Sequence, residues 1–414
     1  MFLGQVWVNR LAVMTKPVPA SPSRELIVQA LILSLGAAVA LGFSRFSYAL
    51  LLPAMRTTLD WSYAEAGSLN TANALGYLIG TLTTARLVAR VGIGQCFWVA
   101  LLLTGAGLFA TGLTENFVAL LSIRLLTGIT CAYTFISGAT LASHLAKDGH
   151  GGLVLGLYFG GVGTGIFLAG LGLPQVMEYD AGLWPYPWLA MGILTFIAVF
   201  VARPVALKVP TDNPHAAKAA PWRFPTQLLP SLTAYALFGL GYISYMTFII
   251  AYLRSGAVST WAITAFWLLL GVSVFASAFV WQGLLDKAKA AGYALASVLA
   301  VVALGTALPL VSTSLVAVLI SGVLFGGAFL TVVSAVTNIA RCALPTHAWA
   351  GGIALFTLLF SIGQTIGPMV AGVLADRSNS FTSGFALSAS CLAIAAALAL
   401  MQKAQDAPQS EIVR

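Results

Sequence analysis

The sequence predicts an all-α membrane protein, with twelve transmembrane helices arranged as two pseudo-symmetric six-helix bundles. Composition points to the membrane first. Of the 414 residues 59% are hydrophobic and only 8% are charged, and the mean hydropathy is +0.93, beyond the range of soluble domains. Apolar runs of about 20 residues recur along the whole chain, each long enough at ~1.5 Å per residue to cross a hydrocarbon core of roughly 30 Å. Short patterns of glycine and tyrosine also return in the same order in the second half, as expected of two related bundles. Helices pair their backbone groups internally, which an open sheet in lipid cannot do.

In order, the spans are expected at 26–52, 64–88, 95–113, 117–143, 152–175, 184–203, 228–253, 259–283, 291–312, 314–341, 349–374 and 382–402. A polar tail, 1–25, leads into the first, which is too long for a signal peptide and has no small-residue cleavage site after it. It reads as a retained span. The fifth span carries Gly156, Gly160, Gly161, Gly163, Gly165, Gly170 and Gly172. Such small residues let neighbouring helices approach closely, and with no preceding strand and no following Lys they do not read as a nucleotide loop. The first bundle, 26–203, gives way at 204–226 to a linker where Pro204, Pro210, Pro214, Pro221 and Pro225 mix with Lys208, Lys218 and Arg223. The second bundle is 227–403, and 404–414 is a tail. Trp61, Trp184, Trp188, Trp261 and Trp349 sit at span ends and read as interfacial anchors.

Sidedness follows from the cations. Fifteen of the 20 Lys and Arg fall in the tails, the linker and the even-to-odd connections, among them Arg10, Lys16, Lys147, Lys289 and Arg341; Arg56, Arg254 and Arg377 lie on the opposite side. Cation-rich loops stay in the cytoplasm, so both termini, the linker and the tails are expected to be cytoplasmic and the protein to lie in a bacterial inner membrane. The same sidedness explains the basic pI of about 9.4, which therefore gives no reason to expect nucleic acid.

The two halves repeat each other. Gly42-Phe-Ser-Arg45-Phe-Ser-Tyr48 aligns with Gly239-Leu-Gly-Tyr242-Ile-Ser-Tyr245 at an offset of 197, and Gly161, Gly165 and Ala169-Gly170 align with Gly363, Gly367 and Ala371-Gly372 at an offset of 202. Parallel repeats of this kind are the plan of transporters whose halves rock about a midplane site.

At these motifs the chain resembles the major facilitator superfamily over its whole length. Arg124-Leu-Leu-Thr-Gly128 is similar to the family's Arg-x-x-x-Gly pattern. Ala85-Arg86-Leu-Val-Ala89-Arg90-Val-Gly92 resembles its loop 2–3 signature, except that Ala89 stands where the signature has an acid; the second copy keeps one, as Gly283-Leu-Leu-Asp286-Lys287. The resemblance implies a conformational role for Arg86, Arg90, Gly92, Asp286 and Lys287, with the charge latch of the first loop weakened by Ala89. Gly42 through Met55, followed by Asn73-Ala-Leu-Gly76-Tyr77-Leu-Ile-Gly80, resembles the YbfB/YjiJ branch, which implies a fold and a class and no cargo.

Two charged residues, Arg45 and Arg124, fall deep inside apolar stretches, and no acid shares that depth. A charge at bilayer depth costs several kcal/mol, so it faces a cavity or a partner. Arg45 lies about seven residues inside one end of its span and Arg124 about seven residues inside the matching end of the fourth, so both are roughly 10 Å deep. A guanidinium offers a planar fork that matches carboxylate or phosphate. Arg45 is the better candidate anion contact, since its repeat partner is Tyr242, whereas Arg124 belongs to a motif shared across the superfamily and suits a structural or coupling role as well. Tyr235, Phe238, Tyr242 and Tyr245 form one stripe at 3-4-3 spacing, Asn70, Asn73 and Tyr77 share a face of the second span, and Gln364 is a lone amide in the eleventh. The substrate-binding candidates are thus Arg45, Tyr242, Arg124, Asn73, Tyr77, Tyr245 and Gln364.

Enzymatic chemistry is not expected. Cys96, Cys131, Cys342 and Cys391 are isolated, and His144, His150, His215 and His347 are placed in cytoplasmic loops, so neither a metal, a cofactor nor a catalytic base is predicted. The expected function is secondary transport, by alternating access, of a small anionic solute, foremost a carboxylate, by a monomer in the lipid bilayer with protons as an open coupling partner. One alternative is proton-coupled efflux of apolar or cationic compounds, which wants an embedded acid that only Glu65, Glu178 or Asp376, near span ends, could supply. The other is a transport-inactive membrane sensor or receptor, against which the short tails argue.

Overall fold

The computed structural model describes residues 22–145, 150–209, 225–287, 292–345 and 348–403, and every regular element among them is helical. In chain order the helices are α1 (Arg24–Thr58), α2 (Tyr63–Val91), α3 (Ile93–Thr111), α4 (Phe117–Leu145), α5 (Gly151–Tyr179) and α6 (Pro185–Lys208), then α7 (Leu229–Ser255), α8 (Thr260–Leu285), α9 (Gly292–Val311), α10 (Leu315–Ala343), α11 (Trp349–Ser378) and α12 (Thr382–Leu400). Each lies within a few residues of the span expected at its place.

Among the described residues eleven helices are long and apolar enough to cross a membrane. The exception is α2. Its 29 residues suffice in length, but Glu65, Asn70, Asn73, four threonines, Arg86 and Arg90 lower its hydropathy. Several of those polar groups find partners inside the protein. Asn70 donates to Thr247 Oγ1 at 2.6 Å, Thr71 to the Thr365 carbonyl at 2.8 Å and Asn73 to the Arg124 carbonyl at 3.3 Å. Thr81, Thr83 and Thr84 donate back to carbonyls of their own helix. A helix so partnered reads as polar in sequence and turns its polar face to the protein, while Leu75, Ile79 and Leu82 remain exposed.

The first six helices pack chiefly as α2 on α4, α3 on α4 and α6, and α1 on α5; the last six as α7 on α11 and α12, α9 on α10 and α12, and α8 on α10. Three pairings join the sets: α5 with α8, α2 with α11, and the last part of α1, from Tyr48, with α7. Backbones touch at these crossings. A Cβ on Gly76 would lie 2.0 Å from the Leu125 carbonyl oxygen, and one on Gly163 would lie 2.4 Å from that of Gly271. The α5 glycines therefore serve α1 on one face and α8 on the other, as small-residue packing in lipid requires.

The termini of the described chain, the α2–α3 turn and the α4–α5, α8–α9 and α10–α11 connections share one end, here the terminal end. There α2 and α3 are joined by Gly92 alone, at φ 83° and ψ 153°, a region that is essentially glycine-only. Arg86 and Arg90 are exposed on the last turns of α2. Asp286 and Lys287 continue the helix beyond α8, but their side chains lie outside the described residues, as do Arg10, Lys16, Lys147, Lys218, Arg223, Lys289, His215, His347, most of the linker and the tail from 404.

Candidate functional site

Helix α1 is regular from Arg24 to Ala37, then widens into a π-helical stretch, Ala38–Phe46, before resuming at Tyr48. The Ser47 amide donates five residues back to the Gly42 carbonyl at 3.0 Å. π-segments leave carbonyls free for other donors and cluster at functional sites. Here Arg124 Nη1 donates to the Ser44 carbonyl at 2.6 Å. The neighbouring residue, Arg45, points into a cavity of about 930 Å³ enclosed by both helix sets.

At the cavity floor Arg45 Nη2 donates to Gln364 Oε1 at 2.7 Å, and Tyr242 Oη donates to the same oxygen at 3.1 Å. Three helices, α1, α7 and α11, thus meet on one amide oxygen. The Arg45 guanidinium also lies 5.5 Å from the centroid of the Tyr77 ring on α2, a cation–π distance. Arg45 is 3% exposed and Gln364 is fully buried. Two donors at this node, Arg45 Nε and Gln364 Nε2, have no acceptor. The amide cannot turn over to help, because its NH2 would then face the Arg45 and Tyr242 donors. No Asp, Glu or Lys is among the described residues lining the cavity. The node therefore holds one positive charge and a surplus of donors.

Of the seven candidates, Arg45, Tyr77, Tyr242 and Gln364 line this cavity together. The other three do not. Arg124 is 1% exposed and sits between the rings of Tyr48 (5.0 Å) and Trp188 (5.4 Å), away from the cavity lining. The Ser44 carbonyl in the π-segment accepts from one of its Nη groups. Asn73 is spent on the Arg124 carbonyl, tying α2 to α4. Tyr245 lies about 4.5 Å past Tyr242 along α7, beyond the cavity floor, where its hydroxyl meets Ser321 Oγ at 2.6 Å.

Four further residues depart from expectation. His144 belongs to the last turn of α4, not to a loop, bonds the Thr140 carbonyl at 2.8 Å and lines the cavity near the terminal end. Trp61, Trp184 and Trp188 are buried rather than interfacial, the last stacking on Arg124.

One wall of the cavity is aromatic. Tyr235, Phe238 and Tyr242 of α7, Phe360 of α11 and Phe329 of α10 all line it. Tyr235 and Phe360 stack at 4.7 Å and 16°, Phe238 and Tyr242 at 4.8 Å and 17°, and Tyr242 and Phe329 at 6.0 Å and 14°. The α7 stripe was legible in sequence. Phe329 and Phe360 were not, since nothing local distinguishes them from lipid-facing phenylalanines.

The cavity runs from this node toward the terminal end, past Val88, His144, Gly152, Gln282 and Leu285. The far end is closed by contacts between the helix sets. Asp376 of α11 accepts from the Tyr63 and Ala64 amides at the start of α2, both at 2.8 Å. Arg254 of α7 pairs with Glu178 of α5 at 3.3 Å, and Thr260 of α8 donates to the same carboxylate. Tyr63 packs edge-on against Phe381 at 4.5 Å. The edge acids are thus all engaged at that end, Glu65 by the Ser62 capping box of its own helix.

Comparison with known proteins gives the family and the fold. A sequence-family model described as the uncharacterised MFS-type transporter YbfB matches residues 37–400. The uncharacterized MFS-type transporter YcaD of Salmonella enteritidis is 27% identical over 133 residues, and that of Salmonella arizonae is equally similar; the match covers 32% of this chain and only about a third (34%) of each relative. The crystal structure of the nucleoside transporter NupG superposes with a TM-score of 0.71 over 91% of this chain and 100% of that one, at 14% identity. At that identity the likeness shows the fold.

Proposed function

The chain belongs to the YbfB-type family of major facilitator transporters, and from that premise we propose that it is a secondary transporter carrying a small organic anion, foremost a carboxylate, by alternating access. One observation carries the anion: Arg45 is buried beside Gln364 and Tyr242 with no acid among the described cavity-lining residues. A buried donor without an acceptor costs about 1–3 kcal/mol and a buried unpaired charge more. A ligand carboxylate arriving from the terminal end supplies both the charge and the acceptors. Arg45 is the main contact, Tyr77, Tyr242 and Gln364 orient the ligand, and Arg124 and Asn73 hold the π-segment and the α2–α4 crossing behind it.

The remaining topology is part of the same reading. The satisfied polar groups of α2 support it as the twelfth span, despite its low hydropathy. The two helix sets are the two bundles, 26–203 and 227–403, joined by the linker. With the cation-rich end in the cytoplasm of a bacterial inner membrane, the cavity faces inward and the Asp376 and Glu178 contacts form the closed outer gate. Efflux of cations is disfavoured because Glu65, Glu178 and Asp376 are engaged at that gate rather than in the cavity.

The test is a thermal-shift screen of the purified protein against organic anions and cations, repeated with Arg45→Ala. Anions are expected to stabilise the wild type and not the variant. Stabilisation by cations alone overturns the anion, and equal stabilisation of both proteins by anions makes Arg45 structural.

A further inference from the structure

Resting on the anion reading of the same site, we propose that the transported carboxylate carries a planar aromatic body that stacks on the ring wall of α7, α10 and α11. The wall differs from ordinary apolar lining in its order. Among Tyr235, Phe238, Tyr242 and Phe360 five ring pairs lie at 8–21° to one another, and Phe329 continues the set from α10 at 14° to Tyr242. An aliphatic tail needs only area, which Leu, Ile or Val supply as well. Parallel rings reward a ligand whose own ring enters in the same orientation, because offset-stacked pairs are favourable beyond their buried area.

The position of the stack relative to the charge fixes how the ligand lies. Tyr242 belongs to both, since its ring stacks on Phe238 while its hydroxyl donates to the Gln364 oxygen that Arg45 holds. A carboxylate at Arg45 therefore has the ring wall within one or two bonds of its head. On the other side Tyr77 presents its ring to the Arg45 guanidinium from α2. A ring held against this wall adds contacts with α7, α10 and α11 to those the carboxylate makes at Arg45. A volume of about 930 Å³ accommodates a body of one or two fused rings.

The experiment compares pairs that differ only in unsaturation. Binding of benzoate and 2-naphthoate to the purified protein is measured against cyclohexanecarboxylate and decalin-2-carboxylate, with benzyl alcohol as the uncharged probe, in wild type, Phe360→Leu and Arg45→Ala. The aromatic acids are expected to bind about fivefold or more tightly than their saturated counterparts, benzyl alcohol weakly or not at all. In Phe360→Leu the ratio should fall toward one. Equal binding of aromatic and saturated acids in the wild type, lost in Arg45→Ala, overturns the aromatic body and leaves the anion reading intact. Failure of every acid to bind the wild type overturns both. The wild-type ratio decides the matter even if Phe360→Leu does not fold.

Discussion

Replacing Gln364 by Glu should abolish anion binding while leaving the fold intact. The side chains have the same shape, and the oxygen that would become a carboxylate already lies 2.7 Å from Arg45 Nη2 and 3.1 Å from Tyr242 Oη. The new charge centres would sit ~4 Å apart, worth about 4 kcal/mol at an effective dielectric constant of ~20. That attraction neutralises the node from within. A ligand carboxylate then meets no net positive charge and, one contact further away, a repulsion of about 2 kcal/mol on the same scale. Together these predict a loss of roughly 30- to 1,000-fold in anion affinity, taking 2–4 kcal/mol at 1.4 kcal/mol per tenfold. The assay is calorimetric or thermal-shift titration of wild type, Gln364→Glu and Gln364→Leu with the acid that binds best. The leucine variant removes the acceptor and keeps the cation, so it should lose stability, by about 1.5–3 kcal/mol for a hydrogen bond to a charged group, and less affinity than the glutamate. A glutamate variant that melts like the wild type and binds anions within threefold of it would refute the assignment of Arg45 as the anion contact.

Two further outcomes follow from the packing and the seal. Gly128→Ala should destabilise by about 1–3 kcal/mol or more, because its Cβ would lie 2.1 Å from the Asn73 carbonyl oxygen, whereas Gly172→Ala opens onto free space; thermal melting in detergent checks this, and equal melting points would deny that α2 and α4 meet through backbone. Asp376→Asn should weaken the charged cap on α2, by about 1–2 kcal/mol, and raise the population with the far end open some 5- to 30-fold. Spin labels at Glu115→Cys and Ser380→Cys, in a background without other cysteines, should then show an added longer distance, and an unchanged distribution would remove Asp376 from the gate.

The membrane class, the helix boundaries and the family were legible in the chain because they rest on local quantities: composition, run length and short motifs. So was the choice of Arg45 and Arg124, which are the buried charged residues among those described, since a charge inside an apolar run is visible without neighbours. α2 shows the limit of that reading. Its hydropathy falls short as a span, and only its partners on α4, α7 and α11 explain where its polar side chains go.

What tertiary structure decided is which faces turn inward. In lipid both the outer face and the protein interior are apolar, so helical patterning does not say which side of α7, α10 or α11 meets the cavity. Phe329 and Phe360 entered the site only through folding, while Tyr245 left it by lying one turn beyond the floor. Arg45 and Arg124 looked alike in sequence at matching depth. They part in their partners: Arg124 donates to the Ser44 carbonyl in the π-segment of α1, whereas Arg45 donates to an amide 319 positions away. A contact at that separation is set by the packing of α1 against α11, and no local pattern in the chain encodes it.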